Sequence, residues 1–439
     1  MKIAIFSDCY LDLTGGIVTA INAEKAELER RGHTVEVFST GYPRSKKALA
    51  ALARQHIFMV PSCRVIGRGA TPIPRRPGKI KKWLLRYHPE LKGYDIFYVH
   101  YEAGCSIAGL SLGRELGIPT VQVMHGREDM AEENLIPRGL RTFVASFLNW
   151  CHGLFLPHKV KITKDYYLAP TLARAKMWTL MVNHANYADL VITPSAHFRL
   201  KLVSYGVTQP ILVLPHGISD EYLHDEPAVK TLVPGQTLEI IWHSRVSPEK
   251  RILPFLEALN ILQKQMQERH RLTETLGRVI KSLRNEPRVA LCHLTVYGSG
   301  PDLVRARQYA LTHHLNVTFR GKASFDTIWR HLKDSHLDVL ASYNYDTFGM
   351  TLIEATAAAT PVFLVDPDLA EILPEKTYAL PSSPTPVEMA ESMQKLLENP
   401  GLIHGMSARM LPAHASLANS LKIDKLEKIF GDLIKAQFE

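Results

Sequence analysis

The sequence predicts an α/β protein with two doubly wound parallel-sheet domains. Short apolar, β-branched segments alternate with helical segments along both halves of the chain, and this order produces parallel sheets covered by helices on both faces. A polar segment at 224–237, containing Pro227, Pro234 and Gly235, separates the halves. The 439 residues are 46% apolar and 22% charged, as in ordinary soluble α/β domains. We predict an N-terminal domain over 1–223, joined by a final helix at 416–439 that packs back on it, and a second domain over 224–415.

The first domain opens with a β-α-β unit. The strands of the whole first domain are predicted at 2–6, 34–38, 96–99, 120–124, 190–193 and 211–214. Gly15 and Gly16 precede a helix at 17–31. Two glycines before a helix can bring a diphosphate or a sugar against backbone amides, but the full G-x-G-x-x-G pattern is absent, and in isolation a plain turn is the simpler interpretation.

His125 follows the predicted strand at 120–124. In parallel sheets, ligands bind beyond the carboxyl ends of the strands. His125 is therefore a candidate catalytic residue, although a single histidine at a strand end is more often structural.

The second domain repeats the alternation. Strands are predicted at 238–242, 290–297, 317–320 and 338–343, and the tight turn Gly298-Ser299-Gly300-Pro301 follows the second of them. A helical pattern continues past Pro254 to about residue 284, longer than a crossover helix requires, and we assign no function to this extension.

The segment 338–361 presents a helix N-terminus at the end of a strand. The unpaired amides of that helix and its dipole favour a phosphate. Asp346 and Glu354 flank the helix start and can accept hydrogen bonds from sugar or ribose hydroxyls, and Gly349 permits close backbone approach. The alternative is that Thr351-x-x-Glu354 is a capping box, which would occupy Glu354 in capping alone.

A second helix start is predicted at Ser247-Pro248-Glu249, with serine as N-cap and proline at the first helical position. Arg245 and Lys250 flank it and could neutralise a diphosphate leaving group. A surface charge pair is the alternative. Asp366-Pro367-Asp368 matches a minimal D-x-D metal motif, but such pairs are common by chance, and we predict no metal.

The excess positive charge lies entirely in the N-terminal half. The net charge is +9, and residues 1–230 carry 29 basic against 20 acidic side chains. Within this half, a basic stretch with interleaved apolar and aromatic residues predicts an anionic lipid surface or nucleic acid as partner, with a merely solvated basic loop as the alternative. Eight basic residues and no acidic one lie between Cys63 and Pro89, with Trp83, Leu84, Leu85 and Tyr87 among them: Arg64, Arg68, Arg75, Arg76, Lys79, Lys81, Lys82 and Arg86.

The segment 140–156 is rich in apolar residues at helical spacing, including Phe143 and Phe147. Core packing is the default interpretation. Because lysines follow closely at 159, 161 and 164, an interfacial helix beside an apolar acceptor pocket is the alternative.

Five cysteines without a C-x-x-C pair argue against a disulfide framework and a thiolate zinc site, and favour a reducing cytoplasm. The apolar start of the chain is too short for a signal-peptide core, and no run of eighteen apolar residues occurs. We therefore expect a cytoplasmic protein that does not span a membrane.

Taken in order, the motifs resemble the family 4 retaining glycosyltransferases, which have the GT-B fold of two Rossmann-like domains facing across a cleft. The resemblance covers nearly the whole chain and is closest to bacterial enzymes that glucosylate diacylglycerol. It is carried by Gly15-Gly16, His125, LPHGIS (214–219), SRVSPEK (244–250), VYGSGPDL (296–303), VTFRG (317–321) and DTFGMTLIEATAAATPV (346–362).

The resemblance implies a role for each motif. Arg245 and Lys250 would bind the diphosphate of a nucleotide sugar, Glu354 would hold the ribose, and His125 and Asp346 would lie near the donor sugar. The loops against the donor would be formed by Gly15, Gly16 and Gly298, and by the backbone of Phe348, Gly349, Met350, Thr351 and Leu352.

The sequence departs from the family pattern at four positions. Asp346 replaces the usual glutamate and is one methylene shorter, which reduces its reach toward a donor hydroxyl. Ser244, His216 and Ala359 replace a glycine, an asparagine and a glycine. None of these changes removes a charged contact proposed for the diphosphate.

The sequence thus predicts a retaining, metal-independent transfer of glucose from UDP-glucose to a membrane lipid, such as diacylglycerol or a glycosyl-diacylglycerol, at the cytoplasmic face of the membrane. The acceptor site and membrane contact are expected at Arg75, Arg76, Lys79, Lys81, Lys82, Trp83, Arg86, Phe143 and Phe147. Three alternatives remain: a polyprenyl-linked or soluble glycan acceptor, a non-catalytic partner subunit, and nucleic-acid binding.

Overall fold

The computed structural model describes residues 1–8, 16–41, 45–63, 73–74, 76–127, 129–130, 136–165, 167–279 and 292–437. It divides into two compact units, Met1–Gly217 with Asn419–Glu439, and Ile218–Ala418. The division falls before Ile218 and after Ala418, whereas the sequence predicts it after residue 223 and before residue 416. The polar segment 224–237 therefore belongs to the second unit.

A seven-stranded parallel sheet forms the centre of the first unit. Its strand order is β3-β2-β1-β6-β7-β8-β9. A short antiparallel pair, β4 and β5, lies apart from it. The strands are β1 (Lys2–Ser7), β2 (Thr34–Thr40), β3 (Ile57–Val60), β4 (Ser62–Cys63), β5 (Ile73–Pro74), β6 (Ile96–His100), β7 (Thr120–Val123), β8 (Leu190–Thr193) and β9 (Ile211–Val213).

Helices connect the parallel strands of this sheet because parallel neighbours require crossover connections. They are α1 (Gly16–Arg30), α2 (Lys46–Ala53), α3 (Pro77–Tyr87), α4 (Gly104–Leu116), α5 (Arg141–Gly153), α6 (Leu172–Ala185) and α7 (Ala196–Ser204). The last helix of the chain, α14 (Asn419–Ala436), also packs on this unit. Arg31, directly after α1, donates to Glu427 of α14 at 2.7 Å. Phe430 of α14 contacts the ring of Tyr98 in β6.

A six-stranded parallel sheet forms the second unit, with the order β12-β11-β10-β13-β14-β15. The strands are β10 (Leu238–His243), β11 (Cys292–Tyr297), β12 (Val317–Gly321), β13 (Leu337–Leu340), β14 (Val362–Leu364) and β15 (Tyr378–Ala379). The helices are α8 (Ile252–Val279), α9 (Leu303–Thr312), α10 (Phe325–Asp334), α11 (Met350–Ala357), α12 (Pro386–Glu398) and α13 (Gly401–Met410). The two parallel sheets with their helices confirm the predicted fold class.

Two predicted elements differ from the structure. The strand predicted to reach residue 343 ends at Leu340, because the chain turns away there and Asn344 takes the left-handed conformation with φ of +53°. The helix start predicted at Ser247 is confirmed only as a short 3-10 helix with Ser247 as its N-cap, and not as the start of an α-helix. Residues Pro248–Lys250 form a 3-10 turn, Arg251 is left-handed with φ of +61°, and α8 begins only at Ile252. The Ser247 hydroxyl donates to Glu249 at 2.6 Å and does not cap the backbone.

Each sheet has one point where the strand order reverses direction. In the first unit it lies between β1 and β6, and in the second between β10 and β13. Crossovers leave these neighbouring strands toward opposite sides, which opens a crevice at their carboxyl ends. Ligand contacts are therefore expected in the loops after these four strands. Among the described helices, none is both long and apolar enough to cross a bilayer.

Candidate functional site

Two loops of the second unit meet at the reversal between β10 and β13. The loop after β10 carries Arg245 and Lys250, and the loop after β13 carries Tyr345 and Asp346. The two strands pair directly in the sheet. The structure therefore brings Arg245, Lys250 and Asp346 together at the position where open α/β sheets bind their ligands.

Lys250 and Asp346 form a shielded ion pair. The lysine Nζ donates to Oδ1 of Asp346 at 2.6 Å and to Oδ2 at 2.8 Å, and Ser342 donates to Oδ2 at 2.5 Å. Each side chain of the pair is only 13% exposed, so solvent screens their attraction less than it screens a surface pair. An ammonium has three N–H donors, which leaves one available to a phosphate oxygen.

Arg245 is the accessible cation of this cluster, with 61% of its side chain exposed. Its Nη2 donates to the hydroxyl of Tyr345 at 3.2 Å and lies 3.1 Å from Oε1 of Glu249. The ring of Tyr345 also lies 5.7 Å from the Nζ of Lys250. Tyr345 thus contacts both cations that are predicted to bind the diphosphate, so these two cations lie near each other.

Glu354 pairs with a histidine and does not cap its helix. Oε2 of Glu354 lies 3.2 Å from Nδ1 of His243, whose Nε2 lies 3.1 Å from Asp338. The N-cap of α11 is Gly349, so Thr351 is the second helical residue, and the capping-box interpretation is wrong. Burial alone would lower the pKa of His243, but the two carboxylates outweigh it and raise the pKa to about 10. The imidazolium holds Glu354 in place as an acceptor.

The start of α11 offers backbone groups and one hydroxyl. Phe348 and Leu352 are buried in the core, so only their backbone can face a ligand, and Met350 packs partly against the same core. Gly349 has φ of +77° and a Cβ there would lie 3.0 Å from Leu340. Among the described residues, the buried Oγ1 of Thr351 has no hydrogen-bond partner, which leaves it available to a ligand oxygen.

The turn after β11 packs tightly against the loop that carries Arg245. Gly298 has φ of +134°, and a Cβ on it would lie 2.1 Å from the carbonyl oxygen of Ser244. A Cβ on Gly300 would lie 2.2 Å from the carbonyl oxygen of Val246. The amide of Val246 donates to Ser299 at 3.1 Å. Glycine is required here so that this turn can support the Arg245 loop closely.

The carboxylate of Asp366, in the D-x-D segment, accepts hydrogen bonds from backbone amides. It accepts from the amide of Asn344 at 2.6 Å and from that of Asp368 at 3.1 Å. Both oxygens thereby shape the loop that ends β13, and this supports a structural role for the segment.

In the first unit, His125 lies in a buried stack of three imidazoles. Its Nε2 is 2.7 Å from Nδ1 of His100, and its ring lies parallel to that of His216 at 5.7 Å. Lys422 of α14 donates to Nδ1 of His216 at 3.1 Å and also contacts Glu24 of α1. Burial, followed by the charge of His100, lowers the pKa of His125 well below its usual value, so the ring is neutral near pH 7.

Gly16 is the first residue of α1, and Gly15 lies outside the described residues.

The C-terminal part of the basic segment, Pro77–Tyr87, forms α3, and the cations there are not equivalent. Lys79, Lys82 and Arg86 are exposed at helical spacing, so they share one face, and Arg76 is exposed just before the helix. Lys81 instead pairs with Glu115 at 2.5 Å. Trp83 is partly buried against the core, and its membrane contact stays a prediction. Arg75 lies outside the described residues.

The predicted apolar helix at 140–156 is α5, and it has two different faces. Ala145, Asn149 and His152 are buried, as the core interpretation predicts. Phe143 and Phe147 are 72% and 52% exposed, so core packing is wrong for that side of the helix.

Comparisons with known proteins place this architecture in a family. The family model described as "Glycosyltransferase Family 4" matches residues 14–222, and the model described as "Glycosyl transferases group 1" matches residues 225–410. Together they span most of the chain. The protein is a family 4 glycosyltransferase. This confirms the resemblance seen in the motifs.

Two curated relatives of this glycosyltransferase carry the name alpha-monoglucosyldiacylglycerol synthase. The protein from Streptococcus pneumoniae is 23% identical over 397 residues, covering 86% of this chain and 74% of the relative. The protein from Acholeplasma laidlawii is 20% identical over 443 residues, covering 99% of this chain and 98% of the relative. The glycosyltransferase is therefore similar to lipid glucosyltransferases along nearly its full length.

Solved structures agree on the GT-B fold. Sucrose-phosphate synthase from Thermosynechococcus elongatus superimposes with a TM-score of 0.65 at 15% identity, covering 99% of both chains. The Anabaena protein HepE, solved in complex with UDP-glucose, superimposes with a TM-score of 0.60 at 13% identity, covering 99% of this chain and 100% of HepE. At these identities the likeness shows the fold alone.

Two site residues of this glycosyltransferase were not predicted from the sequence. His243 is the last residue of β10, so it lies at the carboxyl end of a parallel strand, where a ligand contact is expected. Tyr345 precedes Asp346 directly, but its contact with Arg245 depends on the pairing of two strands that are distant in sequence. A signal in the sequence therefore existed for His243, whereas none existed for Tyr345.

Proposed function

We propose that this glycosyltransferase transfers glucose from UDP-glucose to a membrane lipid, diacylglycerol or a glycosyl-diacylglycerol, with retention of configuration and without a metal. The observation that carries the proposal is the convergence of Arg245 and Lys250 on Tyr345 and Asp346 at the reversal of the second sheet. Two fixed cations beside a helix N-terminus provide the charge that a departing diphosphate needs.

In the proposed reaction, the bond between the anomeric carbon and the β-phosphate oxygen breaks. A bond from the acceptor hydroxyl oxygen forms on the same face of the sugar, and the hydroxyl proton passes to the departing phosphate. Arg245 and the third N–H of Lys250 stabilise the charge on UDP. Glu354, fixed by His243, accepts the ribose hydroxyls, and Thr351 donates to a phosphate oxygen.

The lipid acceptor is supported by the names of the two relatives and by the basic face of α3. At about 1 kcal/mol for each basic residue near an anionic surface, Arg76, Lys79, Lys82 and Arg86 together provide about 4 kcal/mol. That is sufficient for reversible association at the cytoplasmic face of a membrane. The UDP-glucose donor is supported by the complex of HepE, which shares the fold.

The test is an assay of the purified protein with a panel of nucleotide sugars and a lipid extract, with and without EDTA. Products are separated by mass, and the anomeric configuration is read by NMR. We expect a glucosylated diacylglycerol in the α configuration, made equally with EDTA. The Lys250→Ala variant should lose at least about a hundred-fold in kcat/KM, and Lys322→Ala, an exposed lysine elsewhere in the second unit, should match the wild type. Full turnover by Lys250→Ala, or product only on a soluble acceptor, contradicts the proposal.

A further inference from the structure

The exposed face of α5 carries a continuous apolar stripe. Its members recur every three or four residues, the spacing that places side chains on one face of a helix. Each is between 52% and 72% exposed. We name this set the α5 stripe: Leu140, Phe143, Phe147, Trp150 and Leu154.

The opposite face of α5 is held firmly in the first unit. Ala145 packs with Ala173 and Met177 of α6. Asn149 donates to the carbonyl of Lys176 at 2.5 Å, and Nε2 of His152 lies 3.0 Å from Nδ1 of His184. The helix is therefore anchored by buried contacts, and its apolar side remains uncovered within the first unit.

The charged residues that flank the stripe in the sequence, up to Lys164, are of one sign. From Arg138 to Lys164 the sequence contains five basic residues and no acidic residue. Lys159, Lys161 and Lys164 are exposed, and no ion pair joins them to any other described residue. A helix face of aromatic and leucine side chains, followed closely in the sequence by exposed lysines, suits the boundary between lipid head groups and acyl chains.

We propose that the α5 stripe inserts into the surface of an anionic lipid bilayer. A second copy of this chain is a poorer occupant, since a two-fold pairing of the stripes would oppose two sets of like charges. A bilayer rich in anionic lipids instead offers acyl chains to the stripe and negative head groups to its cations. The inference deepens the proposed function, on which it rests, because a lipid acceptor is reached at such a surface.

The test is sedimentation of the full chain with vesicles of phosphatidylglycerol and phosphatidylcholine, without donor or acceptor, so that it reads membrane binding and not transfer. The Phe143→Ser/Phe147→Ser variant should bind at least about ten-fold more weakly. Val304→Ser/Leu311→Ser, a matched change at two positions of α9 that are 75% and 76% exposed, should bind like the wild type. Unchanged binding by the α5 variant overturns the proposal, whereas binding without lipid glucosylation contradicts only the proposed function.

A second measurement keeps the inference testable if the double variant folds poorly. Vesicles with brominated acyl chains quench tryptophan fluorescence on contact, and Trp150→Phe keeps the stripe apolar while removing its fluorophore. We expect Trp150→Phe to bind vesicles like the wild type and to lose most of the quenching. Quenching equal to that of the wild type, or a wild-type dimer in gel filtration that the Phe143→Ser/Phe147→Ser change dissociates, overturns the proposal.

Discussion

Lys250 donates to both carboxylate oxygens of Asp346, at 2.6 and 2.8 Å. Asp346, one methylene shorter than the glutamate of the family pattern, therefore pairs with the lysine that is predicted to bind the diphosphate. Asp346 acts in this structure as the residue that positions Lys250, whereas the family resemblance places it near the donor sugar.

This pair predicts strong coupling in a double-mutant cycle. We expect Lys250→Met and Asp346→Asn each to lower kcat/KM for UDP-glucose by about a hundred-fold or more, because either change removes or misplaces the cation at the leaving group. In the double variant the second change should add little, with a coupling energy of about 2 to 3 kcal/mol. Steady-state kinetics of the four proteins give this value. Fully additive losses would show that Asp346 acts independently of Lys250.

The His243 cluster predicts a pH-dependent stability. Because the pKa of His243 is raised from 6.5 to about 10, its charged form stabilises the fold fully below pH 6.5, and this contribution is lost as the pH rises through 10. We expect His243→Gln to destabilise the protein by about 3 to 5 kcal/mol at neutral pH, since it leaves buried Asp338 without a cation. The difference from the wild type should shrink toward pH 10. Denaturant unfolding across this range measures it, and a difference that does not vary with pH would contradict the assignment.

The glycine turn predicts a steric effect on the donor loop. Gly300→Ala places a Cβ 2.2 Å from the carbonyl oxygen of Val246, so the loop that carries Arg245 must shift. We expect a loss of about 1 to 3 kcal/mol in stability and a raised KM for UDP-glucose. Gly401→Ala is the matched control, because nothing lies within 4 Å of a Cβ there and the residue begins α13. Thermal unfolding and donor titration distinguish them, and equal behaviour of the two variants would count against the packing argument.

The basic face of α3 predicts unequal contributions from neighbouring lysines. Lys79→Gln and Lys82→Gln should each weaken binding to anionic vesicles by about 1 kcal/mol, an effect that salt reduces. Lys81→Gln should have a smaller effect because Lys81 already pairs with Glu115 at 2.5 Å. Vesicle sedimentation at low and high salt measures all three. Equal losses at the three positions would indicate that the Glu115 pair does not persist at the membrane.

The sequence by itself determined the fold class and the family. Apolar periodicity and glycine or proline breaks are local signals, so they identify most strands, and the order of short motifs identifies the glycosyltransferase family. Local signals also indicated Arg245, Lys250 and Asp346 as site residues. They were less reliable at Ser247, where the serine-proline pair is typical of a helix start, because the left-handed Arg251 interrupts the helix there.

Only the tertiary structure decided which partners these residues take. Glu354 reads as a capping residue along the chain, yet it contacts His243, because β10 and β13 are adjacent in the sheet. The same holds for α5, where the face that carries Ala145, Asn149 and His152 is buried and the more apolar face is exposed. Which of them is buried depends on where α6 packs, and this is a property of the assembled core that no local pattern records.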